Sequence, residues 1–183
     1  MHKSFEELEA GIPLLREAPA ETGTVDLIAA RPAEDEREVL DVSTLDVTEG
    51  LIGDTWRARG NRHTPDGSAN PDAQITIMSA RAAALMAGPK DRWPLAGDQL
   101  FVDFDLSESN VPAGTRLQIG EAVVEVTDHP HQGCSKFSSR FGADALRFVN
   151  SPEGRELHAR GINTRVLEPG AIRTTDPITK VRS

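Results

Sequence analysis

The residues best suited to chemistry lie in one short run, His129-Pro130-His131-Gln132-Gly133-Cys134-Ser135-Lys136-Phe137, which holds the only cysteine among 183 residues. A lone thiol cannot form a disulfide within the chain, so Cys134 is no structural staple. Basic neighbours favour the thiolate, the form that attacks electrophiles and binds soft metals. A free cysteine is also among the most buried residue types and often serves as an apolar filler. Exposure of the thiol decides between these roles. His129-x-His131-x-x-Cys134 has N, N and S donors for a metal. A closed zinc site needs four ligands, normally from two paired motifs, and no second cysteine exists. Cys134 with His131 could imitate a nucleophile and its base, but such pairs are normally distant in sequence and oriented by a third group.

The elements that position this run read as follows. Ser4 to Glu17 is an acidic amphipathic helix opened by a Ser4/Glu7 capping box, weakened or split by Gly11 and Pro13. Thr24 to Arg31 and Glu38 to Val47 are strands. Residues 53–72, rich in Gly, Pro, Asn and Asp, read as a long surface loop with Arg57, Arg59, Arg62 and His63 as a cationic middle. Gln74 to Met78 is a short strand, and Ser79 caps an Ala-rich helix. Leu100 to Leu106 alternates apolar and acidic residues, a half-exposed strand. Arg116–Ile119 and Ala122–Thr127 form a hairpin about Gly120-Glu121, and Cys134 lies on the loop leaving it. Phe137 to Val149 is a helix with its aromatics on the body. Ser151-Pro152 starts another, and Asn163 to Val181 is a closing hairpin about Glu168-Pro169-Gly170. Short strands with few helices imply a β-rich α+β barrel with helical insertions, residues 1–20 being a helical extension and 21–183 the main domain.

Composition narrows the function. Net charge is −9 and aromatics are 4%, with no tyrosine. A phosphate-backbone partner and aromatic base-stacking platforms are both disfavoured, so no nucleic acid is expected. No run of about 18 apolar residues exists, so no membrane partner is expected. The N-terminus lacks the apolar stretch of a signal peptide, and the single cysteine agrees with a reducing compartment; the expectation is cytoplasmic. Charge is uneven: residues 1–130 carry 24 acids and 11 Lys+Arg, whereas 131–183 carry 5 acids and 9 Lys+Arg. The segment beginning beside Cys134 is therefore the cationic end, suited to a small anion. G-x-S-x-G, Walker A and G-x-G-x-x-G are all absent from the sequence.

A longer ordered series carries a resemblance: WPLAGDQL, DLSESNVPAGTRLQIGEAVVEVTDHPHQGCSKFSSRFG, and RGINTRVLEPGAIRTTD. It resembles the MOSC domain, named after the C-terminal part of molybdenum cofactor sulfurase, over roughly residues 24–181. The resemblance implies a barrel of the pyruvate-kinase-insert type. It also implies a molybdenum-pterin cofactor ligated by Cys134, or a persulfide carried on it. On the same footing Lys136, Arg140 and Arg165 are anion partners, Asn163 a reader of the pterin edge, and His131, Asp98 and Gln99 cofactor-binding positions. Many members have a G-D-x-H run and a later R-Q. Here the runs are Gly53-Asp54-Thr55-Trp56 and Ala73-Gln74, and G-E-N-L becomes Gly97-Asp98-Gln99-Leu100. Arg57, Arg62 or His63 would have to compensate. Three functions follow: a cofactor-dependent reductase of N-hydroxylated compounds fed by an electron-donor protein, a carrier taking sulfur from a cysteine desulfurase, or a non-catalytic scaffold binding a small anion or a protein.

Overall fold

The computed structural model describes residues 1–182. In chain order the strands are β1 (Thr22–Ala30), β2 (Glu38–Leu40), β3 (Val42–Asp46), β4 (Gly50–Leu51), β5 (Ile75–Ser79), β6 (Leu100–Asp103), β7 (Arg116–Ile119), β8 (Ala122–Val126), β9 (Ile162–Glu168), β10 (Gly170–Arg173) and β11 (Pro177–Lys180). The helices are α1 (Phe5–Glu9), α2 (Ile12–Arg16), α3 (Trp56–Arg59), α4 (Ala80–Ala87), α5 (Ser135–Phe141), α6 (Ala143–Val149) and α7 (Pro152–Glu156). Among the described residues seven strands close a barrel in the order β11-β7-β8-β9-β5-β6-β1, with β1 pairing back onto β11. All these pairs are antiparallel except β5–β6, which is parallel and crosses over through α4. Closure removes the unpaired strand edges that an open sheet would expose. No helix among the described residues is long and apolar enough to cross a membrane.

Two cores result from alternation along the strands. Ile75, Ile77, Leu100 and Val102 point into the barrel, while Met78 and Phe101 point outward under the helices. A register shift between Val25 and Leu27 leaves Val25 and Ile28 both inside. The outer core is completed by Leu8, Leu15, Phe137, Phe141 and Phe148. Each such side chain, fully buried, stabilises by about 1.5–3 kcal/mol.

The local signals explain most of the elements. The Ser4/Glu7 capping box forms, Ser79 accepts from Ala82 N at 3.3 Å, and Ser151 accepts from Gly154 N at 3.0 Å. One expected split forms, and four other expectations change. The N-terminal helix breaks into α1 and α2 at Gly11, and the Phe137–Val149 helix breaks at Gly142, whose φ is +97°. Glu38–Val47 is two strands in different sheets, β2 beside β1 and β3 beside β10. The closing hairpin does not pair with itself: β9 joins β5 and β8, β10 joins β3, and β11 joins β1 and β7. Leu100 to Leu106 is not half-exposed, because helices cover the face that alternation assigned to solvent; Phe101 is fully buried and Asp103 pairs with Arg81 at 2.8 Å.

Candidate functional site

Residues 127–134 leave β8 and are pinned at three places. Thr127 N donates to Asn163 O at 3.0 Å, and Asn163 Nδ2 donates to His129 O at 3.0 Å, so β9 holds the start of the loop. His131 Nε2 meets Asp98 Oδ1 at 2.8 Å, and Arg160 Nη1 donates to Asp98 Oδ2 at 2.5 Å. Gly133 lies so close to α6 that a Cβ there would meet Leu146 Cδ1 at 2.5 Å. Cys134 follows at the start of α5, and its thiol is exposed. The filler role is thereby excluded, and reactivity keeps the access it requires.

The buckle beneath the loop is a buried charge cluster. Burial pushes the Asp98 carboxyl up, but Arg160 and His131 outweigh it and hold the pKa below the ordinary carboxylate value. Burial and the neighbouring Arg160 push the His131 imidazole down, against the pull of Asp98. Arg160 also lies over the Phe137 ring at 5.0 Å, tying the cluster to α5. Gly161, at φ +115°, completes the fit, since a Cβ there would stand 2.6 Å from Ile77 O and 3.0 Å from His131 Cδ2.

Clefts open on both sides of the His129–Gln132 run. On one side a wide cleft of about 520 Å³ is lined by Arg31, Arg59, Arg62, His63, His131 and Asn163 among others. Arg31 and Arg59 carry it into an adjoining groove that also receives Arg37, Lys136 and Arg140. The buried carboxylate of Asp54 orients Arg31 through bonds to its backbone N, Nε and Nη2 at 2.8–2.9 Å. Arg37 spends its donors on the carbonyls of Pro94 and Glu36. The Arg59 backbone N donates to Thr55 O at 2.8 Å, and its side chain makes no hydrogen bond or ion pair among the described residues. Burial, then the neighbouring arginines, push both Arg37 and Arg59 below the ordinary guanidinium value. The exposed acids Glu34 and Asp35 offset part of this charge, reaching Lys136 at 3.7 and 3.8 Å and Arg140 at 3.2 Å. Crowded cations that push against one another form a site prepared for an anion.

The sequence-expected residues divide accordingly. His131, Asn163 and Arg62 meet at the wide cleft, and Lys136 and Arg140 line the adjoining groove. Arg57 pairs with Glu49, and Arg165 pairs with Glu125 at 2.6 Å; neither lines these clefts. Asp98 and Gln99 are buried, and they support the site from beneath. Gln99 accepts from Thr76 N at 2.8 Å and donates to Gln74 O at 3.3 Å. Among the described residues no three His, Cys, Asp or Glu gather to hold a metal, which leaves the His-x-His-x-x-Cys zinc arrangement unformed. Sequence reading missed Arg31 and Arg37 and counted Arg59 only as a loop cation. The one available signal was Asp54, an acid in a Gly-Asp turn whose arginine partner lies 23 residues upstream.

Comparison with known proteins bears on this arrangement directly. The family model described as the MOSC domain matches residues 68–179. The chain belongs to the MOSC domain family. No curated protein matches it in sequence. Among solved structures, the YuaD protein from Bacillus subtilis superposes with a TM-score of 0.65 at 18% identity, over 88% of this chain and 97% of that one. YiiM from Escherichia coli gives 0.58 at 20% identity, over 88% and 70%. YiiM from Geobacillus stearothermophilus gives 0.54 at 16%, over 90% and 75%. At these identities the likeness concerns the fold. The MOSC match contains the loop, Cys134 and Asn163, whereas Arg31, Arg37 and Arg59 lie N-terminal to it. Where this MOSC chain departs from the G-D-x-H and R-Q runs, Thr55 Oγ1 bonds Arg31 O at 2.8 Å and Trp56 is buried. Arg62 and His63 line the same cleft as Ala73, and Arg57 does not.

Proposed function

We propose that this MOSC protein binds a molybdenum-pterin cofactor, with the Cys134 thiolate as the metal's protein ligand and the arginine groove as the seat of the terminal phosphate. The MOSC family is associated with molybdenum-cofactor binding. One observation carries the reading: an exposed thiol follows a pinned loop, two residues after Gln132 of the wide cleft and two before Lys136 of the cationic groove. The residues present suit such a group. Thiolate is a soft donor fit for a thiophilic metal, and guanidinium forks match phosphate oxygens. Asn163, tied at Nδ2 to His129 O, stands in the wall of the wide cleft beside the loop.

When bound, the cofactor supplies the redox chemistry, here the reduction of an N-hydroxylated compound with electrons from a donor protein. The chain's own part is to hold and orient. The Asp98–His131 buckle and the Asn163 bond fix the loop before Cys134, and Asp54 aims Arg31. The exposure of the thiol, which belongs to no group of three potential metal ligands among the described residues, also supports a sulfur carrier, loaded as a persulfide by a cysteine desulfurase. One preparation separates the two readings. Wild type and Cys134→Ala are purified from molybdate-fed cells and assayed for molybdenum, pterin and intact mass. Metal and pterin in the wild type alone support the cofactor reading. A gain of about 32 Da per sulfur on Cys134, without metal, moves the assignment to the carrier. Neither change sinks both.

A further inference from the structure

On the other side of the His129–Gln132 run lies a second cleft, about 380 Å³, between the ends of β8 and β9 and the α6–α7 turn. Its size is that of a small-molecule site, for which about 300–1,000 Å³ is usual. We infer that this cleft is a binding site for a small uncharged molecule that presents an N–H edge on a partly apolar body.

The walls are apolar at Val126, Val149 and Ile162, all nearly sealed by the fold around them. The charges around the cleft leave no excess of cations. Glu108 and Asp128 stand against Arg155, and Arg160 is already neutralised by Asp98. An anion therefore gains little here that the arginine groove does not offer more strongly. The polar feature that selects a ligand is Asn163, which lines both clefts and is 3% exposed. Its Nδ2 donates to a carbonyl, which fixes the amide orientation, because Oδ1 could not face that oxygen. Oδ1 is then an acceptor without a protein donor among the described residues, and it is not among the sealed unpartnered atoms, which comprise Arg160 Nε alone. Such an acceptor rewards an N–H donor and disfavours a carboxylate. His158 holds a backbone φ of +48° at the wall, its Nδ1–H donating to Leu106 O at 2.6 Å and its Nε2 facing Glu108 at 3.0 Å. Non-glycine residues persist in that region where surrounding structure over-determines them, often at ligand sites.

The binding claim stands without any cofactor. That the occupant is the substrate, seated across the loop from the cofactor cleft, rests on the function proposed above. The test uses the full, cofactor-free chain labelled with ¹⁵N and titrated with benzamide, which has an apolar ring and an N–H edge. Benzoate and N,N-dimethylbenzamide keep the ring and lack the N–H. Benzamide is expected to shift amides in 126–132 and 158–163 with a millimolar Kd, and the two analogues to bind about tenfold more weakly, the worth of one hydrogen bond. Ala113→Trp fills the mouth of the cleft from an exposed position and should abolish benzamide binding while leaving the melting temperature and phosphate binding unchanged. Asn163→Ala should equalise the three ligands. Equal affinities in the wild type, undiminished binding to Ala113→Trp, shifts confined to the arginine groove, or no shifts with benzamide would each overturn the inference. None of these outcomes depends on whether molybdenum is retained, so the two proposals fail separately.

Discussion

The wide cleft and the second cleft share His129 to Gln132 and Asn163 as a wall, yet the arginine groove that continues the first and the second cleft itself are built to different electrostatic rules. The groove gathers Arg31, Arg37, Arg59, Lys136 and Arg140 around incomplete counter-charge. The second cleft carries no excess of cations and lines part of its wall with valine and isoleucine. The cluster below the loop makes the contrast affordable in structural terms. Asp98, His131 and Arg160 satisfy one another there, so the loop stays in place without drawing on the groove's cations. A thin, well-anchored partition thus lets a cation-lined groove and a cleft without excess cations lie close together.

The largest expected effect comes from breaking that partition. Asp98→Ala strands a buried guanidinium and releases His131, at a cost of about 3–5 kcal/mol. Chemical denaturation measures it, and both phosphate and benzamide binding should weaken together. A variant losing under about 1 kcal/mol would mean that the loop is anchored elsewhere. Next, Gly161→Ala places a methyl against Ile77 O and strains a positive φ, costing about 1–3 kcal/mol; thermal melts report it.

Acidification should act through the same cluster. His131 is held below its ordinary value of 6.5, so below that pH the unfolded chain binds more protons than the folded one. Stability therefore falls as pH drops from about 6.5, by at most about 1.4 kcal/mol per pH unit from this group. The depressed Asp98 carboxyl adds a loss of the same sign at lower pH, as it finally protonates in the folded protein. His131→Gln should flatten the upper part of the profile; an unchanged slope between pH 6.5 and 5 would assign the loss to other groups.

The smallest effect sharpens the comparison most. Arg59→Ala removes an unpartnered, repelled cation, so stability should hold or rise by about 0.5 kcal/mol. Inorganic phosphate should bind severalfold more weakly, while benzamide binding stays unchanged. Equal loss of both ligands would show that the two clefts are not electrostatically separate.

Much of the fold was legible in the residues. Capping at Ser4, Ser79 and Ser151, and the β7–β8 turn at Gly120, depend on neighbours a few positions away, and all form as read. Strand partners were not legible where the chain continues straight through a short turn: Glu168-Pro169-Gly170 looks like a hairpin, yet β9 and β10 separate into different sheets. The thiol and the polar loop around it stood out as well, because unusual residue types clustered in sequence. Asp98 looked like a ligand for the same reason that it is a clamp, since an acid in a Gly-Asp turn carries no sign of what will bury it.

The sequence by itself determined the barrel class, the family, and Cys134 with the cationic C-terminal segment it opens, because alternation, turn chemistry and an ordered motif series are local properties of the chain. Only the tertiary structure decided that the thiol is exposed, that Arg31, Arg37 and Arg59 join Lys136 and Arg140 in one groove, and that a second cleft stands behind the loop. Burial and charge balance are sums over residues far apart in sequence, and closing the barrel is what brings those residues within reach of one another.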